Sequence, residues 1–244
     1  MNRIAVISDI HGNVPALEAV LQDIHRRGIQ EIFCLGDLVG KGPESKRAIH
    51  LIQKSCTVVV KGNWDDFITK ETEFDAIRWH QAQLTKEDNA YLMSLPFQVE
   101  FMMSGKKVRL FHASPFSIYK RIQPWDPIEK RLSMFENTAE TGNEGGEPIV
   151  VGYGDVHNAY VQNFLGKTLF NTGSVGNPLE ITQASYAILE GEYHAAEQGP
   201  FSIQLVRVPY DIEMSIQIAR EMKMPDLDQY IQELTTAKYR GIKG

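Results

Sequence analysis

Seven residues in this chain have side chains suited to holding a divalent cation and share one kind of setting. Asp9 and His11, then Asp37, Asn63, His112, and Asp155 with His157 all fall just beyond short apolar runs. Imidazole nitrogens with carboxylate and amide oxygens form a mixed donor set suited to Mn, Fe, Zn or a similar ion, and no thiolate lies among them. Each residue alone has an ordinary structural explanation, because an Asp or Asn after a strand commonly forms a turn or caps a helix. Asp9 could cap the helix that begins near Val14, and Asn63 could open a turn. Their joint occurrence at five strand ends is what that explanation handles badly. The other histidines act as controls: His25 and His50 lie in expected helices, His80 and His194 in polar stretches, and all four read as structural or solvated.

The elements that must position these residues follow from the hydrophobic pattern. Ile4–Ile7 is a short, nearly continuous apolar run, as expected of a strand buried on both faces. Val14–Arg27 reads as an amphipathic helix with Pro15 in its first turn and Gly28 past its end. A strand at Glu31–Leu35, a helix at Glu44–Lys54 and a β-branched strand at Thr57–Val60 complete a β-α-β-α-β run, which implies a parallel sheet with helical crossovers. Thr85 and Asp88 resemble a capping box before a helix at Lys86–Leu95, and a hairpin is expected from Phe97–Met103 and Lys107–Phe111 around Ser104-Gly105. Residues 113–147 have weak periodicity, a helix near Ile128–Glu136 and a loop at Thr141–Gly146, and are expected to form a lid or insertion. Further strands are expected at Pro148–Val151, Tyr160–Phe164, Thr168–Phe170, Ser185–Leu189 and Phe201–Val208, then helices at Asp211–Met222 and Asp226–Thr236 within a C-terminal helical segment, 211–244. With no internal repeat or linker, residues 1–244 are expected to form a single α/β domain with two sheets. In open α/β sheets ligands bind where strands end, so donors distant in sequence can converge there.

Composition narrows the classes. The chain has 244 residues, 43% of them hydrophobic and 23% charged, which excludes global disorder. No apolar run approaches the roughly 18 residues of a membrane span, and Ser8 and Asp9 cut the first run too short for a signal peptide. Cys34 and Cys56 form no CxxC pair, as expected for a reducing cytoplasm. The net charge of −6 disfavours a binder of long nucleic acid.

The motifs, taken in order, resemble the calcineurin-like metallophosphoesterases. The matching segments are Asp9-Ile10-His11-Gly12-Asn13, Gly36-Asp37, Gly62-Asn63-Trp64-Asp65, His112-Ala113 and Gly154-Asp155-Val156-His157. Asn171-Thr172-Gly173-Ser174-Val175-Gly176 resembles a further segment of the small bacterial phosphodiesterase members, so the likeness spans roughly residues 1–190. The resemblance implies a four-layer sandwich of two mixed β-sheets flanked by helices. It also implies two divalent cations, Mn or Fe first and Zn, Ni or Mg as alternatives. Asp9, His11 and His157 would hold one ion, Asp37 would bridge, and Asn63, His112 and Asp155 would hold the other. Asp37, Asn63 and His112 are the residues it casts as catalytic. Two ions about 3.5–4 Å apart activate a bridging hydroxide and clamp the oxygens of an in-line displacement at phosphorus, so no protein nucleophile is needed.

Two positions depart from the family pattern. The family usually has His after the Asn of the third motif, where it can protonate the leaving group; Trp64 stands there, and an indole only donates a hydrogen bond. Good leaving groups are therefore expected: phosphoanhydrides, aryl esters and activated diesters. The fifth motif usually reads Gly-His-x-His, and Asp155 replaces the first His with a harder, charged donor that either ligates or merely turns the chain. For substrate contact the expected residues are Asn13, Trp64, Lys120 and Arg121, with Lys41 reaching phosphate. Phe116, Tyr119 and Trp125 are available to stack on a base, and Trp64 either stacks or simply packs.

The function expected is hydrolysis of phosphodiesters or nucleotide polyphosphates such as diadenosine tetraphosphate, by a monomer or homodimer acting on a small phosphorylated substrate. One alternative is a phosphomonoesterase or phosphoprotein phosphatase. The other is a weakly active metal- or nucleotide-binding module in which Trp64 and Asp155 mark decay. The segment beyond Val208 is expected to close the sandwich or form a dimer contact.

Overall fold

The computed structural model describes residues 1–143 and 145–239. Residue 144 of the expected loop and residues 240–244 of the expected C-terminal segment lie outside the described residues. The first sheet has strand order β10-β9-β1-β2-β3. In it β1 (Asn2–Ile7), β2 (Glu31–Cys34) and β3 (Val58–Val59) are parallel, crossed by α1 (Val14–Arg26) and α2 (Ser45–Ser55). β9 (Ala184–Gly191) runs antiparallel to β1, and β10 (Ser202–Val208) antiparallel to β9. The second sheet comprises β4 (Gln98–Met103), β5 (Lys106–Phe111), β6 (Val150–Tyr153), β7 (Tyr160–Phe164) and β8 (Lys167–Asn171), in the order β4-β5-β6-β8-β7. Its centre, β5, β6 and β8, is parallel and its two flanking pairs are antiparallel. The fold is the expected pair of mixed sheets flanked by helices.

The apolar run at Ile4–Ile7 is explained by burial on both faces. Ile4 and Val6 pack between the sheets with Phe33, Leu35, Val108, Leu110 and Phe170. Ala5 and Ile7 face the helices with Leu17, Val20, Ile49 and Ile52. The period-2 pleat sends alternate side chains into different cores, so no position can be polar until the strand ends at Ser8 and Asp9. The outer face of the second sheet is covered by residues from 113–147, where Ile122, Met134 and Phe135 pack on Phe111, Val151 and Tyr153. That layer is mostly irregular. The helix expected over 128–136 is α6 (Ile128–Leu132) continued by a 3₁₀ turn at Ser133–Phe135.

Other departures are local. β3 retains only Val58–Val59 of the expected strand, and β6 begins two residues later than its apolar run. Three short or capped helices, α3 (Asn63–Phe67), α4 (Asp75–Gln81) and α5 (Lys86–Ser94), follow β3, of which only the last was expected. The hairpin turn at Ser104 and Gly105 has φ of 49° and 75°, the left-handed pair that suits the twist of a two-residue hairpin loop. At the C-terminal end, α7 (Ile212–Glu221) and α8 (Leu227–Thr236) form where the periodicity placed them. Among the described residues no helix is long and apolar enough to cross a membrane.

Candidate metal centre

The crevice at the ends of β1, β2, β3, β5 and β6 gathers the predicted donors. His11 Nε2 lies 3.3 Å from His157 Nε2, and Asp9 Oδ1 is 3.2 Å from His157 Nε2 and 3.8 Å from His11 Nε2. Asp37 faces both halves of the site, with Oδ2 3.6 Å from His11 Nε2 and Oδ1 3.4 Å from His112 Nε2. Asn63 Oδ1 is 2.9 Å from His112 Nε2. Asp9, His11 and His157 form one group that could hold an ion; Asp9, Asp37 and His112 form another.

The residues present fit a metal, as their hydrogen bonding shows. Each of the three histidines donates from Nδ1 to a backbone carbonyl: His11 to Val39 at 3.2 Å, His112 to Leu35 at 2.7 Å and His157 to Asn177 at 2.6 Å. In the neutral imidazole this leaves Nε2 as a lone pair. The lone pairs of His11 and His157 then point at each other, while His112 Nε2, when protonated, donates to Asn63 Oδ1, in the place a cation would take. Asp9 Oδ1 is buried with no hydrogen-bond partner. In the Asp9, His11 and His157 group, converging acceptors with no donor between them need a cation, and carbonyl-anchored imidazoles are how proteins orient metal ligands.

Charge and backbone tell the same story. Burial opposes charge on His112, but the carboxylates of Asp37, Asp9 and Asp155 hold its pKa up to about 9. Burial pushes Asp9 upward too, yet the imidazoles of His157, His112 and His11 hold its carboxyl below the usual range. His11 titrates well below the ordinary imidazole, through burial and the nearby Lys41 and His157. Asp9, His11, Asp37, Lys41, Asp155 and His157 all have positive φ, between 48° and 63°. Such left-handed residues cost roughly 1–3 kcal/mol each and persist at functional sites, where surrounding structure over-determines them. The loops also interlock: a Cβ on Gly62 would stand 2.2 Å from Asp37 N, and one on Gly154 2.6 Å from Asp9 Oδ2.

Several contacts were not foreseen. Asp65 is fully buried and accepts backbone bonds from Asp37 (2.8 Å), Leu38 (2.8 Å) and Gly62 (2.9 Å), so it clamps the β2 and β3 loops together. Asn177, whose carbonyl orients His157, accepts from Lys41 Nζ at 3.2 Å and donates to Glu233 Oε2 of α8 at 3.0 Å. The C-terminal helices therefore brace the centre. An Asp in the first turn of a short helix carried no distinguishing signal, and a Glu on α8 carried none either.

The remaining predicted residues divide. Asp155 donates its backbone N–H to Asp9 Oδ2 at 3.0 Å, but both its carboxylate oxygens accept from Arg121 at 2.8 Å, and Oδ1 stands 4.0 Å from His112 Nε2. The two residues that sequence reading assigned separately to metal and substrate are thus bonded to each other. Arg121 and Lys41 line a cavity that reaches His157. Lys120 is not brought to the centre; its Nζ sits 3.7 Å from the centroid of the Phe116 ring. Asn13 caps α1 and binds Gly176 O at 2.8 Å and Ser215 Oγ at 2.8 Å, so its amide ties three segments together rather than facing the cavity. Trp64 packs: a Cβ on Gly40 would fall 1.9 Å from its ring, and the indole meets His11 edge-on at 5.7 Å. Among the control histidines, His50 pairs with Asp88 and His194 stacks on Tyr193.

Comparison with known proteins agrees with the geometry. The model of the calcineurin-like phosphoesterase superfamily domain matches residues 2–193, and the chain belongs to this superfamily. It is 34% identical over 245 residues to the uncharacterized protein MJ0912 of Methanocaldococcus jannaschii, covering 91% of this chain and 94% of that one. The crystal structure of a metallophosphoesterase from Sphaerobacter thermophilus is similar with a TM-score of 0.75 and 26% identity, over 97% of this chain and 99% of that one. Hypothetical protein PH1004 from Pyrococcus horikoshii OT3 shares the fold, with a TM-score of 0.78 and 20% identity over 98% and 100% of the two chains. The chain is a phosphoric ester hydrolase of a metal-dependent family.

Proposed function

We propose that this protein hydrolyses phosphodiesters or nucleotide polyphosphates, diadenosine tetraphosphate among them, using two divalent cations. Asp9, His11 and His157 would hold one, Asn63, His112 and Asp155 the other, with Asp37 between them. When bound, such ions supply Lewis acidity and an activated water. The harder carboxylate oxygens of Asp155, where the family usually has an imidazole, favour Mn or Fe over Zn. The chain's own part is to turn the three Nε2 atoms inward, an orientation that the Nδ1–H bonds to the carbonyls of Val39, Leu35 and Asn177 fix. Arg121 offsets the charge that Asp155 adds where the family usually has an imidazole.

The observation that carries this reading is Trp64. An indole beside His11 cannot protonate a departing oxygen, so substrates whose leaving groups depart unprotonated are favoured. The test is hydrolysis by metal-free protein on adding back Mn, Fe, Zn, Mg or Ca. p-Nitrophenyl phosphate, bis-p-nitrophenyl phosphate and diadenosine tetraphosphate are the substrates. Mn-dependent cleavage of the last two in preference to the first is expected. Preference for the monoester would make the protein a phosphatase. Stoichiometric metal binding without turnover would make it a binding module.

Trp64→His should restore a proton donor. The ratio of β-glycerophosphate to bis-p-nitrophenyl phosphate turnover is expected to rise about tenfold or more, the lower part of what general acid catalysis contributes. An unchanged ratio would show that position 64 does not face the leaving group.

A further inference from the structure

Two cavities adjoin on one side of the metal centre. The inner one, about 250 Å³, reaches His157 and Asp155 and carries Arg121 and Lys41 on its wall. The outer one, about 600 Å³, extends along α8 past Gln232 and Lys238. Trp125, Asn158, Leu179 and Tyr239 line both and so form the neck between them. Trp125 is 69% exposed and Tyr239 41% exposed, large values for aromatic rings that lie beside a cavity. The Arg121 fork on Asp155 uses Nε and Nη2, and Nη1 is not part of that pair.

We infer that Trp125 and Tyr239 clasp a flat nitrogenous base of the substrate, so that the protein acts on nucleotides rather than on simple phosphate esters. This rests on the phosphoesterase reading above. The inner cavity is smaller than the roughly 300 Å³ at which pockets for organic ligands begin, so a whole nucleotide does not fit inside it. Whatever the phosphate is attached to must pass through the neck. The neck offers two aromatic faces, and stacking on such faces contributes about 1–3 kcal/mol per base. Arg121 and Lys41 meet the phosphate on the inner side. The outer cavity has room for a second nucleoside moiety, as a dinucleotide would require. Trp125 comes from the irregular layer over the second sheet and Tyr239 from the segment after α8. The clasp therefore gives the C-terminal segment a role in specificity.

The experiment compares AMP with ribose 5-phosphate, binding each to the metal-free full chain by calorimetry. The two probes differ only in the base. Wild type is expected to bind AMP at least about tenfold more tightly, the lower half of the stacking range. Trp125→Ala and Tyr239→Ala should each cut that preference while leaving ribose 5-phosphate affinity unchanged, and Trp125→Phe should keep it. Both rings are exposed, so truncation is not expected to unfold the chain, and circular dichroism checks this. Equal affinity for the two probes, no measurable AMP binding, or a preference that survives both Ala substitutions would overturn the clasp. Hydrolysis of bis-p-nitrophenyl phosphate by the Mn-loaded protein separates the two readings. If it fails while the AMP preference holds, the diesterase reading falls and the clasp stands.

Discussion

Asp37→Asn should lower kcat/KM by about 10³-fold or more while the metal-free fold stays intact. Asp37 stands between the two groups of donors, with one oxygen toward His11 and the other toward His112. Asparagine keeps its shape and the acceptor that Trp64 N–H reaches at 2.8 Å. It replaces the other oxygen with an NH₂ that has no lone pair to offer and removes the negative charge shared between two cations. Charge stabilisation of several kcal/mol is at stake, and each 1.4 kcal/mol is tenfold in rate. Stability should respond in the opposite sense. Burial drives the Asp37 carboxyl well above the usual range; His112 opposes this, while Asp9 and Asp65 add to it. In the metal-free protein the group is therefore disposed to carry a proton, and a neutral amide is a mild replacement. Metal content by mass spectrometry and melting temperature with and without Mn would check both halves. Near-normal turnover with a full metal complement would refute the bridging position.

Asp65→Ala is expected to do the reverse, damaging stability first and activity as a consequence. The Asp65 carboxylate holds the backbone N–H groups of Asp37, Leu38 and Gly62. Alanine would leave three buried donors unpaired, each at a cost of about 1–3 kcal/mol before any water enters. A net loss of about 3–5 kcal/mol corresponds to a melting temperature roughly 10 °C lower in a chain of this size. The loops after β2 and β3 are held in mutual contact by Gly36 and Gly62, where a Cβ on Gly36 would lie 2.3 Å from Gly62 N. Without the carboxylate, Asp37 and Asn63 lose their common anchor, and metal affinity should fall with stability. Asp65→Asn, which keeps one acceptor, should be intermediate. An alanine variant that melts within about 2 °C of wild type would mean that the clamp contributes nothing.

These two neighbours in the site were not equally legible. Asp37 was found because it follows a buried strand directly and recurs with Asp9, Asn63, His112 and His157 in the same relation to other strands. Asp65 lies in a quoted motif, yet two of its three partners come from backbone 27 and 28 residues away. No local pattern announces a side chain whose work is to bind another loop's N–H groups. Trp64 could be recognised as unable to act as an acid, but its seat against Gly40, whose missing Cβ makes room for the ring, could not be read from the chain.

The amino-acid sequence alone determined the alternating elements, the two-sheet architecture and the family, and it pointed to seven candidate donors at strand ends. All of these are short-range matters: a pleat that buries both faces must be apolar throughout, and a ligand at a strand end sits a fixed few residues beyond it. Tertiary structure alone decided which side chains share a space. It bonded Asp155 to Arg121, tied Asn13 to Ser215 on α7, and braced His157 through Asn177 to Glu233 on α8. It also drew Tyr239 to the same cavity as Trp125. Hydrogen bonds and ring contacts act over a few ångströms in space and are indifferent to distance along the chain. Partners separated by 34, 56 or 202 residues meet only because the packed sheets and helices carry them there.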